Sequence, residues 1–271
     1  MKNANPVIGA LIGDIAGSVY EFDNRKSKDI KLFAPWHGRT CRPTDDSIMT
    51  LAVCEALRKS QPQNYKDLAE ETVRCMQNIG RAYPNCGYGG RFLNWIFSDD
   101  PKPYQSYGNG AAMRVSGAAC AAQSLEEAEK LAETVTAVTH DHPEGIQGGK
   151  TAAGVIRLAR SGAGKEEIRA YAEKYYALDF TIDAIRPSFA FDVSCRGTVP
   201  QAIEAFLEAD GFEDAVCTAL SLGGDSDTLA CITGAVAGAY YGVPDELITK
   251  AFAFLDARLR KIYEDFAETF G

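Results

Sequence analysis

Gly9-Ala10-Leu11-Ile12-Gly13-Asp14-Ile15-Ala16-Gly17 sets a glycine at every fourth position of an otherwise apolar run. At 3.6 residues per turn the three glycines share one helix face. Each glycine inside a helix costs about 1 kcal/mol against alanine. A stripe of three is therefore expected where a second backbone comes close enough to compensate. Gly234 and Gly238 repeat the spacing within the apolar run 229–241. These two helices are predicted to form the centre of a helical bundle.

Around them, helix-type spacing of apolar residues runs through 62–79, 145–160, 165–178, 200–209, 212–222 and 245–270. Ser124-Leu125-Glu126-Glu127 reads as a capping box opening a helix toward Val138. Alternating strand patterns bounded by turns are scarce. No tandem repeat, low-complexity linker or long charge block divides the chain. The expectation is an all-α, single-domain compact multi-helix bundle over residues 1–271.

The 271 residues suffice for a sizeable core, and 46% hydrophobic with 24% charged content is ordinary for a soluble protein. The net charge of −9 argues against general nucleic-acid binding and against anionic membranes. An anionic ligand would have to be held by metal ions or backbone N–H groups. The eight cysteines form no C-x-x-C pair and sit mostly in apolar helical patterns, so buried reduced thiols are expected rather than a disulfide frame. Three histidines are few for a zinc site. The start Met1-Lys2-Asn3-Ala4-Asn5-Pro6 lacks the charged region and cleavage site of a signal peptide, and the apolar runs are too short to span a bilayer, which needs about 20 residues. A cytoplasmic monomer is the expectation.

Two acidic runs stand far apart in the chain: Thr44-Asp45-Asp46-Ser47 and Gly223-Gly224-Asp225-Ser226-Asp227-Thr228. Each precedes a long apolar stretch. Either alone reads as a helix N-terminus, with a capping residue and acids that complement the helix dipole. Together they place four carboxylates and two threonine hydroxyls at the mouth of a core, where uncompensated charge is costly. Hard divalent cations, which favour oxygen ligands, are the usual compensation. Asp14 is expected to need a partner as well, either supporting that site or pairing with a cation.

Three further segments carry chemistry. Ser106-Tyr107-Gly108-Asn109-Gly110-Ala111-Ala112-Met113-Arg114 is a glycine-rich turn leading into a small-residue helix, a form that can cradle phosphate on backbone N–H groups. It is neither a Walker A loop nor a dinucleotide fingerprint. Gly87-Tyr88-Gly89-Gly90-Arg91-Phe92 permits close backbone approach, and Tyr88 or Tyr107 offers a face for stacking on a base. Thr139-His140-Asp141-His142-Pro143 offers imidazoles as ligands, phosphate donors or acid–base groups. Each of these alone reads equally as a plain turn or a helix end.

Taken in order, these motifs resemble the ADP-ribosylglycohydrolase family, the group related to the dinitrogenase reductase-activating glycohydrolases. The opening 9–18, Tyr20-Glu21-Phe22, the two acidic runs, 108–114 and 139–143 all look like its signatures. The resemblance implies an all-α fold and two divalent cations, Mg2+ or Mn2+. By resemblance the metal ligands are Thr44, Asp45, Asp46, Asp225, Asp227 and Thr228. The substrate-binding residues it implies are Gly87, Tyr88, Gly90, Ser106, Tyr107, Gly108, Asn109, Met113 and His140. Glu21 matches an acidic position over the reactive ribose, and Ser226 stands where a threonine is common.

The implied reaction is metal-dependent hydrolysis of the glycosidic bond between ADP-ribose and an acceptor, reversing ADP-ribosylation. It passes through an oxocarbenium-like state. Glu21, Asp46 and Asp225 are the candidate catalytic carboxylates, with Glu21 or Asp46 taking the proton of water. The substrate is an ADP-ribosylated protein or small conjugate, and the sequence leaves arginine, serine or another acceptor open. Two rival readings are a non-catalytic ADP-ribose binder on the same scaffold and a two-metal phosphohydrolase. The loops 23–42 and 181–199 are the candidate specificity elements.

Overall fold

Fifteen helices carry the chain in a computed structural model that describes residues 5–271. Residues 1–4, part of the segment read above for a leader, lie outside the described residues. In chain order the helices are α1 (Pro6–Gly17), α2 (Asp45–Ser60), α3 (Leu68–Gly80), α4 (Gly90–Phe97), α5 (Gly110–Met113), α6 (Ser116–Ala121), α7 (Leu125–Ala137) and α8 (Pro143–Arg160). They continue as α9 (Lys165–Ala172), α10 (Ile182–Ile185), α11 (Cys195–Leu207), α12 (Phe212–Leu220), α13 (Ser226–Tyr241), α14 (Asp245–Phe252) and α15 (Ala257–Phe270). Among the described residues the only β pairings are two isolated bridges, Trp36 with Arg39 and Gly108 with Ser194. The all-α bundle expected from periodicity is what the chain forms, as a single compact domain.

The glycine stripe does what its spacing predicts. Every residue of α1 is buried, and α1 lies along α13. A Cβ on Gly9 would overlap the Gly234 carbonyl, and one on Gly13 the Ala230 carbonyl. A Cβ on Gly17 would sit 2.5 Å from the Asp227 Cα. Gly238 approaches Gly9 from the other side, its Cβ position 3.3 Å from the Gly9 Cα. The seam is therefore backbone on backbone, and it ends at the second acidic run.

Helix boundaries follow local capping. At α7, Ser124 Oγ accepts the Glu127 N–H at 3.1 Å, and the Glu127 carboxylate reaches back to the N–H of Gln123 at 2.6 Å. The stretch 62–79 is not one helix: a 3-10 turn, Gln61–Gln63, is followed by Asn64 and Tyr65 at positive φ, and α3 starts only at Leu68. The segment 165–178 is helical only to Ala172. The helix expected from Pro200 begins a turn and a half earlier, because Ser194 caps it by accepting the Gly197 N–H at 3.0 Å and Pro200 is carried inside. The stretch 245–270 breaks in two, where Asp256 accepts the N–H groups of Arg258 and Leu259, both at 2.9 Å, to start α15.

All eight cysteines are buried free thiols. No helix among the described residues is long and apolar enough to cross a membrane.

Candidate active site

The N-termini of α2 and α13 point at the same place. Thr44 caps α2, its Oγ1 accepting the Asp46 N–H at 3.3 Å. Gly223 and Gly224, at φ 67° and 69°, make the turn that delivers Asp225 to the start of α13, and Asn24 Oδ1 accepts the Gly224 N–H at 2.7 Å. Both helix dipoles therefore present their positive ends to the acids clustered there.

Asp14, from the middle of α1, holds the first run in place. Its carboxylate accepts the N–H of Thr44 at 3.0 Å and of Ser47 at 3.1 Å, and both their hydroxyls. It is fully buried and pairs with hydroxyls and N–H groups, not with a cationic side chain. The second run is cross-braced: Thr228 Oγ1 donates to Asp46 Oδ2 at 3.2 Å, and Asn109 Nδ2 donates to Asp225 Oδ2 at 2.7 Å.

One carboxylate oxygen from each of Asp14, Asp46 and Asp227 lies within 4.8 Å of the others, and a second trio, Glu21, Asp225 and Asp227, does the same. Asp227 belongs to both. Among the described residues no Lys, Arg or His forms an ion pair with any of these five acids or with Asp45. Asp46 Oδ1 is buried with no hydrogen-bond partner. Burial, then mutual repulsion, pushes the Asp46 and Asp227 carboxyls far above the usual range. Burial chiefly, with Asp14 next, raises Asp45 to about 7, and burial followed by Asp225 raises Glu21 to about 7. An orphaned buried carboxylate oxygen amid all-oxygen donors and unpaired negative charge fits hard divalent cations. The predicted ligand Thr44 donates to Asp14 and accepts from Asp46, which leaves its hydroxyl one free lone pair.

All of these acids but the fully buried Asp14 line a cavity of about 450 Å³. Of the residues predicted to bind substrate, Gly87, Gly90, Ser106, Gly108, Asn109, Met113 and His140 line it, as does Glu21. Tyr88 and Tyr107 do not. Tyr88 turns its ring edge to Phe92 and buries its hydroxyl, while Tyr107 is exposed and meets His142 edge-on. The aromatic residues that do line the cavity are Phe92, Tyr104 and Phe191.

His140 is fixed by a relay. Arg114 donates to Thr139 Oγ1 at 2.6 Å, so the Thr139 hydroxyl proton is free to bond His140 Nδ1 at 2.7 Å. Nε2 then carries the ring proton and lies against Gly108 and Gly110, where an added Cβ would come within 3.6 Å and 3.3 Å of it. Burial, then Arg114 and Arg91, holds the imidazole well below its usual pKa. His140 is a neutral donor. Arg114 itself is buried, its pKa brought down to about 10 by desolvation. An arginine set among small and apolar residues just after a glycine-rich turn was the available signal for this relay. Arg91 and Tyr104 also lie here, with the guanidinium 4.7 Å from the ring centroid.

A larger surface groove of about 1130 Å³, between α2, α3 and α15, is lined by ion-paired side chains such as Arg74 with Glu71 and carries none of the predicted site residues.

The sequence model of the ADP-ribosylglycohydrolase family matches residues 5–270. The chain belongs to the ADP-ribosylglycohydrolase family. Among its relatives, mouse ADP-ribosylhydrolase ARH3 is 28% identical over 87% of this chain and 82% of its own length. ADP-ribosylarginine hydrolase Tri1 of Pseudomonas putida (strain GB-1) is 27% identical over 90% of this chain and 72% of its own. The ADP-ribosyl-[dinitrogen reductase] glycohydrolase of Rhodospirillum rubrum is 28% identical over 88% and 85%. A solved structure described as an ADP-ribosylglycohydrolase-related protein complex superposes with a TM-score of 0.73 at 23% identity, covering 98% of this chain and 95% of that one. That likeness concerns the fold, and it agrees with the helical bundle of this family member.

Proposed function

We propose that this ADP-ribosylglycohydrolase family member hydrolyses the bond between the anomeric carbon of ADP-ribose and an acceptor on a protein or small conjugate. One observation carries the reading. A single cavity is lined both by carboxylates that form no ion pair among the described residues and by glycine backbone, His140 and the guanidinium of Arg91. A diphosphate suits the donors of Gly87–Gly90, Ser106–Gly110, the His140 Nε2–H and Arg91. It cannot approach the carboxylates unless their charge is offset.

Thr44, Asp45 and Asp46 on one side and Asp225, Asp227 and Thr228 on the other would hold two divalent cations, with Asp14 fixing the first group. When bound, such cations offset the charge and act as Lewis acids toward ribose oxygens and water. The rest falls to the chain's own residues. Glu21 stands at the cavity wall on the loop after α1, half-buried, beside Asp225 and with no ion-pair partner among the described residues. A carboxylate at that place suits removal of the proton from the attacking water. Asp46 is the deeper of the two candidates and has one oxygen committed to Thr228, so Glu21 is the preferred base.

The test is incubation with defined ADP-ribosyl peptides in Mg2+ or Mn2+, read by mass spectrometry. Free ADP-ribose is the expected product. Release of AMP or phosphate would instead support the phosphohydrolase, and binding without turnover the non-catalytic reading.

A further inference from the structure

Glu21-Phe22-Asp23-Asn24-Arg25-Lys26 follows the glycine seam and lies outside any helix. Its side chains alternate. Asp23 pairs with His37, and the Arg25 guanidinium sits 4.6 Å from the Trp36 ring centroid. Phe22, Asn24 and Lys26 turn the other way, as every second residue of an extended run does. They meet two segments that border the catalytic cavity, which Phe191 and Asp225 line. Phe22 stacks on Phe191, with centroids 5.9 Å apart and planes 22° apart. Asn24 Oδ1 accepts the Gly224 N–H at 2.7 Å. Lys26 Nζ donates to the Phe189 carbonyl at 2.6 Å and to the Leu222 carbonyl.

Two of these contacts close on one turn. Leu222, Gly223 and Gly224 deliver Asp225 to the head of α13, and the turn is held by its first carbonyl and its last N–H. The Leu222 carbonyl lies just past the end of α12, where the helix dipole favours a cation. Lys26 forms no ion pair among the described residues, so its ammonium is committed to carbonyls. Gly223 leaves room for Asn24, since a Cβ there would lie 2.5 Å from Oδ1, and a Cβ on Gly224 would lie 2.9 Å from the Phe189 ring. Asn24 and Lys26 are exposed residues, but their bonds to Gly224 and Leu222 are partly buried. What these contacts oppose is repulsion. One carboxylate oxygen of Glu21 lies within 4.8 Å of one from Asp225 and one from Asp227.

We infer that Asn24 and Lys26 are positioning residues for the reaction. They tie the segment carrying Glu21 to the turn carrying Asp225, so that the two carboxylates face each other before a cation or a substrate arrives. Neither side chain lines the cavity, and both act through the residues they hold. Without them the Glu21 segment can relieve its charge by moving outward. Cation binding is then weakened by the free energy of bringing the carboxylates back together. The consequence for turnover rests on the glycohydrolase reading, and the clasp itself does not.

The experiment compares wild type with Asn24→Ala, Lys26→Met and Lys26→Arg. Amide exchange is followed by NMR in chelator, Mg2+ affinity by calorimetry, and kcat and KM on an ADP-ribosyl peptide. Asn24→Ala is expected to speed exchange of the Gly224 amide about tenfold. Asn24→Ala and Lys26→Met are each expected to weaken Mg2+ binding about fivefold and to lower kcat about tenfold, with KM changing less than about twofold. Lys26→Arg keeps a cation with several donors and is expected to recover most of that kcat. A role in stability alone would lower Tm and leave kcat and Mg2+ affinity, measured well below Tm, as in wild type. That result, or a Gly224 amide unchanged in Asn24→Ala, overturns the inference and leaves the hydrolase reading standing. A loss in Lys26→Arg as deep as in Lys26→Met overturns the part given to Lys26. If wild type binds Mg2+ and releases no ADP-ribose, the hydrolase reading falls, and Gly224 exchange with Mg2+ affinity still decides the clasp.

Discussion

Asp14 accepts from four donors on two residues, two N–H groups and two hydroxyls. An ionised carboxylate is acceptor-only, so its charge and its geometry are both used. Asp14→Asn would turn an N–H toward donors that already point at it. The expected cost is about 3 kcal/mol, from a buried group left mismatched, and a displaced Thr44–Asp46 segment. Urea unfolding measures the first, and loss of Mg2+-induced stabilisation the second. A variant as stable as wild type that still responds to Mg2+ would refute this role. The sequence marked Asp14 as a residue in need of a partner, but not which one. Its partners lie 30 and 33 positions away, and only the packing of α1 against α2 brings them within reach. The two tyrosines show the same limit from the other side. A sequence offers a flat ring for stacking, but Tyr88 sits half-buried against Phe92 and Tyr107 lies in solvent, because χ1 and the local turn decide where a ring points.

Among the elements, α1 and α13 were legible because their glycine spacing has one physical use. Gly13→Ala puts a methyl group into the Ala230 carbonyl. The expected loss is about 3 kcal/mol or more, since overpacking against backbone has no side chain to relax. Gly164→Ala, with nothing within 4 Å of the added Cβ, loses only the glycine N-cap of α9 and is expected to cost about 1 kcal/mol or less. Equal stabilities in denaturant would refute the seam. Elements ruled by a single cap were less legible. The break at 253–256 depends on Asp256 taking two N–H groups, a competition between local bonds that a continuous apolar pattern conceals. The early start of α11 has the same origin in Ser194. Neither error moved a residue of the site, because each acidic run is itself a helix start and carries its own boundary.

For the whole molecule, the acid cluster couples folding to pH and to divalent ions. Asp45 and Glu21 hold protons more tightly folded than unfolded, titrating at about 7 against ordinary values of 3.8 and 4.5. More protons on the folded state means that their contribution to stability is present below about pH 4 and is lost as pH rises to about 7. Divalent ions bind the deprotonated form, so their stabilising effect grows over the same range. Saturating Mg2+ is expected to raise Tm over a chelator control by about 5 °C or more at pH 7.5, and by clearly less at pH 5. Scanning fluorimetry at the two pH values checks this. An equal increment at both, or none at either, would count against a cation site in these carboxylates.

The seam between α1 and α13 also governs when the molecule becomes itself. A helix striped with glycine has little propensity of its own, and its partner begins more than 200 residues later. During synthesis the amino-terminal segment emerges long before Ser226–Tyr241 exists to dock against it. Through most of translation, then, the chain lacks Asp225 and Asp227 and carries an unmatched glycine face. Assembly of the fold and assembly of the site become one late event, and a nascent or truncated chain lacking α13 has neither.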